Sequence, residues 1–352
     1  MKDKHINIAK DSNLLKQVYD EVENKLHIDK QATATLLTVK FIFYFSLVLL
    51  TYFAIYFSNN TATLFSAYIL FGLLSVLFGF NFAHDFCHNT VFKSKRLNNF
   101  GFTFIYTLVG AHAEAWKFRH IHSHHYAPNV KDYDTDLQIT SLIRVEPNSE
   151  YKWFHKYQQF YAPLAYTSYS LYWVFIKDFV VYFTDKENLH QKEIQFHISF
   201  WLQKLFYVSY LLILPILFSG LPWFTLVLGF ISMHLIQSLF LLFTFFMTHH
   251  VEQTEYFNAD DDGYIKTSWF TNQIKSSNDF HPFSKTANFI FGGFNNHIAH
   301  HLFPHIHHVH YPQLNKILYK ILSENNIKPN VTTFMGGIVS HLRHLKTLSI
   351  QP

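Results

Sequence analysis

The sequence predicts an all-α integral membrane protein: four transmembrane helices in two hairpins, with a cytoplasmic helical cap that gathers histidines. Three observations carry that expectation. Two long stretches, Phe41 to Phe80 and Leu205 to Met247, contain no Lys, Arg, Asp or Glu. Each is broken once by turn residues, at Ser58-Asn59-Asn60-Thr61 and Ser219-Gly220-Leu221-Pro222, and so divides into two apolar segments of about 20 residues, the helical length that crosses a bilayer. Every Lys and Arg lies in 1–40, 81–204 or 248–352. Both hairpin tips therefore lack positive charge, and the positive-inside rule puts all three polar regions, with both termini, in the cytoplasm.

Composition agrees. Hydrophobic residues make up 49% of the 352 and aromatics 19%, while charged residues reach only 15%, against about 25% in a soluble domain. The net charge of +4 is spread without a basic run that would track a phosphate backbone, so nucleic acid is not an expected partner. The single cysteine, Cys87, excludes an internal disulfide and any cysteine-based metal site. Any bound metal must be held by histidine, of which there are 25.

Residues 1–40 are polar and charged and carry no secretory signal, so the amino terminus is expected to be retained. Within them Leu14, Leu15, Val18, Val22 and Leu26 recur at near-helical spacing, as in a helix lying on the bilayer or on the protein surface. Spans follow near 41–57, 63–82, 201–218 and 224–247, and the cap takes 83–200 and 248–352 of a single domain, 1–352. Two weaker apolar runs, 100–111 and 160–183, contain Gly, Pro or scattered polar residues and are read as interfacial or re-entrant helices. Making either one a span by itself would put the histidine clusters on opposite sides of the membrane.

Those clusters number three. In "HDFCH" His84 and His88 are four residues apart, so a helix points them the same way. "HIHSHH" repeats the spacing with His120 and His124, adds His125, and turns His122 elsewhere. In "GGFNNHIAHHLFPHIHHVHYPQL", His297, His300 and His301 stand at i, i+3 and i+4, ahead of Pro304, which a continuing helix does not easily accommodate. Eight imidazoles exceed what one tetrahedral ion needs and suit two ions, about 3.5–4 Å apart in two-metal sites. Imidazole alone does not choose among Zn, Cu, Fe and Ni. A metal site at the mouth of an apolar bundle is, however, placed for lipid-like substrates. Breaking an unactivated C–H bond there needs an oxidant derived from oxygen, which iron generates and redox-inert zinc does not.

The three clusters with their flanks, "HDFCHN", "WKFRHIHSHHYAPN" followed by Asp134 and Asp136, and the third run with its "HHLFP" and "HYPQL", resemble the histidine boxes of membrane fatty acid desaturases. The likeness covers roughly residues 65–320 and is greatest to the bacterial and cyanobacterial acyl-lipid branch that includes the delta-6 enzymes. It implies an all-helical membrane protein whose cytoplasmic cap holds a di-iron site, and O2-dependent insertion of a double bond into a lipid- or CoA-linked acyl chain. A bacterial-type inner membrane is the implied location. Carried over by position, the ligands would be His84, His88, His120, His124, His125, His297, His300 and His301. A further histidine after the last span is expected from "MTHHVEQTE", with His250 preferred and His249 as the alternative. Front-end members usually carry Gln where this chain has His297, whereas other branches carry His. No HPGG haem-binding motif is present, so electrons are expected from a separate ferredoxin or cytochrome such as cytochrome b5.

Asp85, Asp134, Asp136, Glu252 and Glu255 sit beside the boxes, where a carboxylate can accept the other ring N–H of a ligand; Asp85 is the first choice, and a solvated acidic loop is the alternative for the rest. His305, His307, His308 and His310, beyond Pro304, are expected to orient or pack. His112, His122 and His155 are expected to be structural. His234 lies inside the fourth span with Gln237 three residues on, so the two either line an acyl tunnel or bond between helices. The "NADDDG" run lacks the Glu that a calcium loop needs at its twelfth position, where Trp269 stands. A hydroxylase on the same scaffold would use the same ligands, and a non-catalytic metal carrier would need ionisable residues along the spans.

Overall fold

The computed structural model describes residues 4–138, 140–184 and 194–350; positions 185–193 of the expected cap lie outside them. The chain is mostly helical. In order it runs α1 (Ala9–Lys25), α2 (Lys30–Tyr56), α3 (Thr61–Phe78), α4 (His84–Cys87), α5 (Lys95–Val109), α6 (Ala113–Arg119), α7 (Gln158–Tyr166), α8 (Tyr169–Tyr172), α9 (Asp178–Thr184), α10 (Ile194–Val208), α11 (Leu214–Phe218) and α12 (Trp223–His249). Then come α13 (Trp269–Lys275), β1 (Asn278–Phe280), α14 (Lys285–Phe291), α15 (His297–Leu302), α16 (Tyr311–Glu324), β2 (Asn330–Thr332) and α17 (Phe334–Thr347). Wider π turns at Gly79–Ala83, His120–His124, Trp173–Lys177 and Ser209–Ile213 join several of them.

Among the described residues four helices are long and apolar enough to cross a membrane: Lys30–Tyr56, Thr61–Cys87, Ile194–Phe218 and Trp223–His249. They coincide with the four expected spans and run past them at their charged ends, because helical hydrogen bonding does not stop where hydropathy does. The second continues through its π turn into α4, so the first histidine box is the end of a span. The chain divides into two compact units, one of 1–30, 118–162 and 243–352, the other of 31–117 and 163–242.

The second unit holds most of the apolar helices. α3 and α12 approach at glycines: a Cβ on Gly72 would lie 2.6 Å from the Met233 side chain, and one on Gly229 2.6 Å from the Tyr68 ring. Small residues let the backbones close in an apolar medium, where packing replaces the hydrophobic drive. The π turn at Ser209–Ile213 changes the carbonyl register, and tyrosine hydroxyls bond there, Tyr52 to the Tyr210 carbonyl at 3.1 Å and Tyr68 to the Leu211 carbonyl at 2.8 Å. Lys204 donates to Asp178 at 2.6 Å and to the carbonyls of Gly110 and Val174 at 2.7 and 2.9 Å. The two weaker apolar runs form α5 and the broken series α7 to α9, none of them long enough to span. Leu97, Phe100 and Phe104 on α5 remain exposed.

The first unit is built around α15. Leu14, Val18 and Val22 of α1 are buried with Phe270 and Ile274 of α13, Ile298 and Leu302 of α15, and Leu314 and Leu318 of α16. The amino-terminal helix thus lies on protein, each such burial being worth roughly 1.5–3 kcal/mol. Side-chain caps start α13 at Ser268, α14 at Ser284 and α17 at Thr333. Gly292 and Gly293, both at positive φ, make the turn from α14 to α15; at Gly293 a Cβ would meet that of His308 at 2.5 Å, so glycine is required there on both counts.

Candidate metal centre

The second histidine box sits on a π turn, and this changes which rings face together. An α-helix pairs i with i+4, as the sequence reading assumed for His120 and His124. In the π turn the His125 N–H reaches the His120 carbonyl at 3.0 Å, and the Nε2 atoms of His120 and His125 come within 3.1 Å. His124 is thereby directed to other partners. π turns of this kind recur at functional sites.

In the first unit the histidines sort into two groups. His120, His125 and His300 form one, with the His300 ring 4.5 Å from that of His125 and stacked at 5.9 Å on that of His120. His124, His249, His297 and His301 form the other, each offering a ring nitrogen within 4.8 Å of the rest. On α15 the ordinary spacing holds: His297 and His301, four apart, join the second group, and His300 turns to the first. His84 and His88 belong to the second unit, with ring centroids 5.1 Å apart.

Of the two histidines after the last span, the structure turns His249 toward the other histidines and the preferred His250 toward Tyr256. Adjacent residues at the end of a helix are turned about 100° apart, and α12 aims His249 into the group, its Nε2 2.7 Å from that of His297 and 3.3 Å from that of His301. His250 turns away, its Nδ1 2.8 Å from the Tyr256 hydroxyl. Burial, followed by the neighbouring His249 and His341 rings, keeps it well below the usual histidine range.

Three rings of the second group are held from behind. His124 Nδ1 lies 3.3 Å from Asp134, whose carboxylate also accepts the N–H groups of Asn129 and Asp136, each at 3.0 Å. His249 Nδ1 donates to the Ser276 carbonyl at 2.9 Å, and His301 Nδ1 faces the Gln273 amide oxygen at 2.7 Å. These acceptors assign the proton to Nδ1 in each ring and leave every Nε2 with a lone pair. The buried His124 Nε2 has no hydrogen-bond partner among the described residues. The Nε2 atoms of His249 and His301 confront each other with no proton to share.

Such facing lone pairs are what a cation relieves. An ion about 2.0–2.1 Å from each imidazole nitrogen in a tetrahedral set puts nitrogen–nitrogen edges at roughly 3.3 Å, the separation of the His249 and His301 Nε2 atoms, 3.3 Å. Burial, then the surrounding histidines, holds His301 well below its ordinary pKa and so in the neutral form that binds metal. Burial also acts to lower His124, but the charge and hydrogen bond of Asp134, helped by Asp136, outweigh it and raise the ring's pKa. Burial acts to raise Asp134, and His124 with the Asn129 N–H brings it below the usual carboxylate value.

Of the expected acids, Asp134 bonds a candidate ligand ring, and Asp136 lies 3.9 Å from the same ring. Asp85 accepts from the Thr90 hydroxyl at 3.3 Å. Glu252 is exposed and bonds Ser340 of α17 at 3.2 Å, so it fastens an element instead of orienting a ring. Glu255 pairs with Lys275. His234 has both nitrogens engaged, Nδ1 with Ser170 at 2.7 Å and Nε2 with Tyr207 at 2.9 Å, which favours the bond between helices over the tunnel. Gln237 packs its Cβ beside Gly72. His122 is exposed, and His155 is buried, accepting from the Lys152 N–H and bonding the Ser141 carbonyl.

Sequence reasoning missed Gln273, Ser276, Asn129 and Asp279. Asn129 bonds the His249 carbonyl at 2.9 Å, and Asp279 accepts the Ile298 N–H at 2.9 Å and the Tyr319 hydroxyl at 2.8 Å, anchoring the start of α15. Asn129 closes the flank of the second box; the others stand in "TNQIKSSND", where no spacing marks them.

A family model described as fatty acid desaturase matches residues 59–332. The sn-1 linoleoyl-lipid 6-desaturase of Arthrospira platensis is 31% identical over 291 residues, covering 80% of this chain and 76% of that protein. The acyl-lipid (8-3)-desaturase of Physcomitrium patens is 30% identical over 311 residues, 85% of this chain and 63% of its own length. The sn-1 linoleoyl-lipid 6-desaturase of a Synechocystis strain is 28% identical over 280 residues, 77% of this chain and 76% of that protein. With its four apolar helices and its converging histidines, the chain belongs to the fatty acid desaturase family and is a membrane enzyme of that kind.

Proposed function

We propose that this desaturase holds two iron ions and inserts a double bond into an acyl chain linked to a membrane lipid or to CoA. His124, His249, His297 and His301 hold one ion. His120, His125 and His300 hold the other, completed by His84 and His88, since three imidazoles leave an ion open and the first box offers two more at i, i+4. The metals supply the O2 activation that an unactivated methylene requires. The protein's part is orientation: Asp134, Ser276 and Gln273 fix three rings in one tautomer, and burial excludes water. Removing two hydrogens while reducing O2 to two waters consumes two further electrons and two protons, so an external donor such as a ferredoxin or cytochrome b5 is required.

The charge-free stretches and the placement of every Lys and Arg outside them support two hairpins, a cytoplasmic cap within one domain, and both termini on the cytoplasmic side of a bacterial-type inner membrane. Relatives acting on lipid-linked chains favour a glycerolipid carrier. The observation that carries the metal assignment is the convergence of Nε2 atoms whose Nδ1 atoms are already bonded. The test is mass spectrometry of total fatty acids, with double-bond location, from cells expressing the intact chain or His300→Ala with a supplied donor. A new unsaturated acid with the intact chain alone, and about two irons per purified chain, is expected. A hydroxy acid would select hydroxylation, and iron-free protein without product would defeat the metal assignment.

A further inference from the structure

α13 and its C-terminal cap touch three separate parts of the histidine array. Gln273 accepts from His301 on α15 at 2.7 Å, and the Ser276 carbonyl accepts from His249 on α12 at 2.9 Å. Asn272 donates to the Pro128 carbonyl at 2.9 Å, in the segment that follows the second box. Asn272, Gln273 and Ser276 are fully buried. The helix is itself held by α1, where Asp11 accepts from the hydroxyls of Ser268 and Thr271 at 2.5 and 2.7 Å. Asn272 and Gln273 lie outside all three boxes, yet the ligand rings are oriented from here.

We propose that Gln273 is a positioning residue for the metal centre: its amide oxygen keeps His301 in the Nδ1–H tautomer without adding charge, while Asp134 does the same for His124 with a full negative charge. The acceptors behind this group are therefore unequal: Asp134 is charged, whereas Gln273 and the Ser276 carbonyl are neutral. A carboxylate behind a ligand imidazole raises its basicity, so Gln273→Glu would strengthen His301 as a donor and stabilise the oxidised metal. Gln273→Leu, of similar volume, would leave His301 free to rotate or to move its proton to Nε2, where it no longer binds metal. This inference rests on the di-iron reading given above.

The experiment uses the full chain in detergent, loaded with ferrous iron. It measures iron per chain, iron lost to a chelator over time, the reduction midpoint and the iron spectrum, for the wild type, Gln273→Leu and Gln273→Glu. We expect Gln273→Leu to lower iron affinity about 10–100-fold, and Gln273→Glu to keep the iron, change its spectrum and shift the midpoint to lower potential. Wild-type affinity and spectrum in Gln273→Leu would overturn the proposal, as would equal iron loss in both variants, which marks packing instead of the acceptor. A wild type that binds no iron would defeat the di-iron reading itself, an outcome the first measurement separates from the others.

Discussion

At the residue scale the sharpest distinction is between two neighbouring histidines. His249 and His250 have the same chemistry and adjacent positions, yet one faces His297 and His301 and the other faces Tyr256. His249→Ala should therefore lose one ion and lower product by at least about 100-fold, the upper end of what even an outer partner of a metal ligand is worth. His250→Ala keeps every candidate ligand and should keep both ions, with activity reduced at most several-fold through lost packing. Iron analysis and fatty acid profiles of the two variants, prepared side by side, check this; equal iron loss in both would return His250 to the ligand set. Sequence spacing had no means to choose, because the choice depends on where a 27-residue helix stops turning.

At the element scale the π turn at His120–His124 decides how the second box is shared. One extra residue in the turn takes His125 to His120 and frees His124 for the other group, so a single stretch serves both. Inserting an alanine after Ile121 puts His120 and His125 six apart, where neither an α nor a π turn faces them together. The expected result is loss of iron from the group of His120, His125 and His300 and at least about a 100-fold fall in product. Substituting Ile121→Val keeps the register and should keep iron and product. An active, iron-loaded insertion variant would show that the register does not matter. The histidines themselves were legible in the sequence, as were the helices bearing the first and third boxes; the π register was not, because it arises from packing and carries no residue signature.

At the scale of the whole molecule the question is which side of the membrane each region occupies. Cys87 is the only cysteine and is buried, so Cys87→Ser gives a background for single-cysteine labelling. A cysteine replacing Asn59 or Ser219 should react with an impermeant maleimide in intact spheroplasts. One replacing Glu23 or Lys346 should react only after the membrane is opened. The opposite pattern would invert the topology and place the histidines outside.

The sequence by itself determined the four apolar helices and the three histidine clusters, because bilayer thickness and metal coordination each impose spacings that survive in one dimension, and the class of chemistry followed from the resemblance of those clusters to desaturase histidine boxes. The tertiary structure decided the rest. It chose the protein surface over the bilayer for α1 through Leu14, Val18 and Val22, turned His249 toward His297, and tied Glu252 to Ser340 and His234 to Ser170 and Tyr207. It also brought Gln273 and Ser276 of one helix behind His301 and His249 of two others. Orienting a ligand requires an acceptor a few ångströms away in space, and chain separation places no limit on where that acceptor comes from.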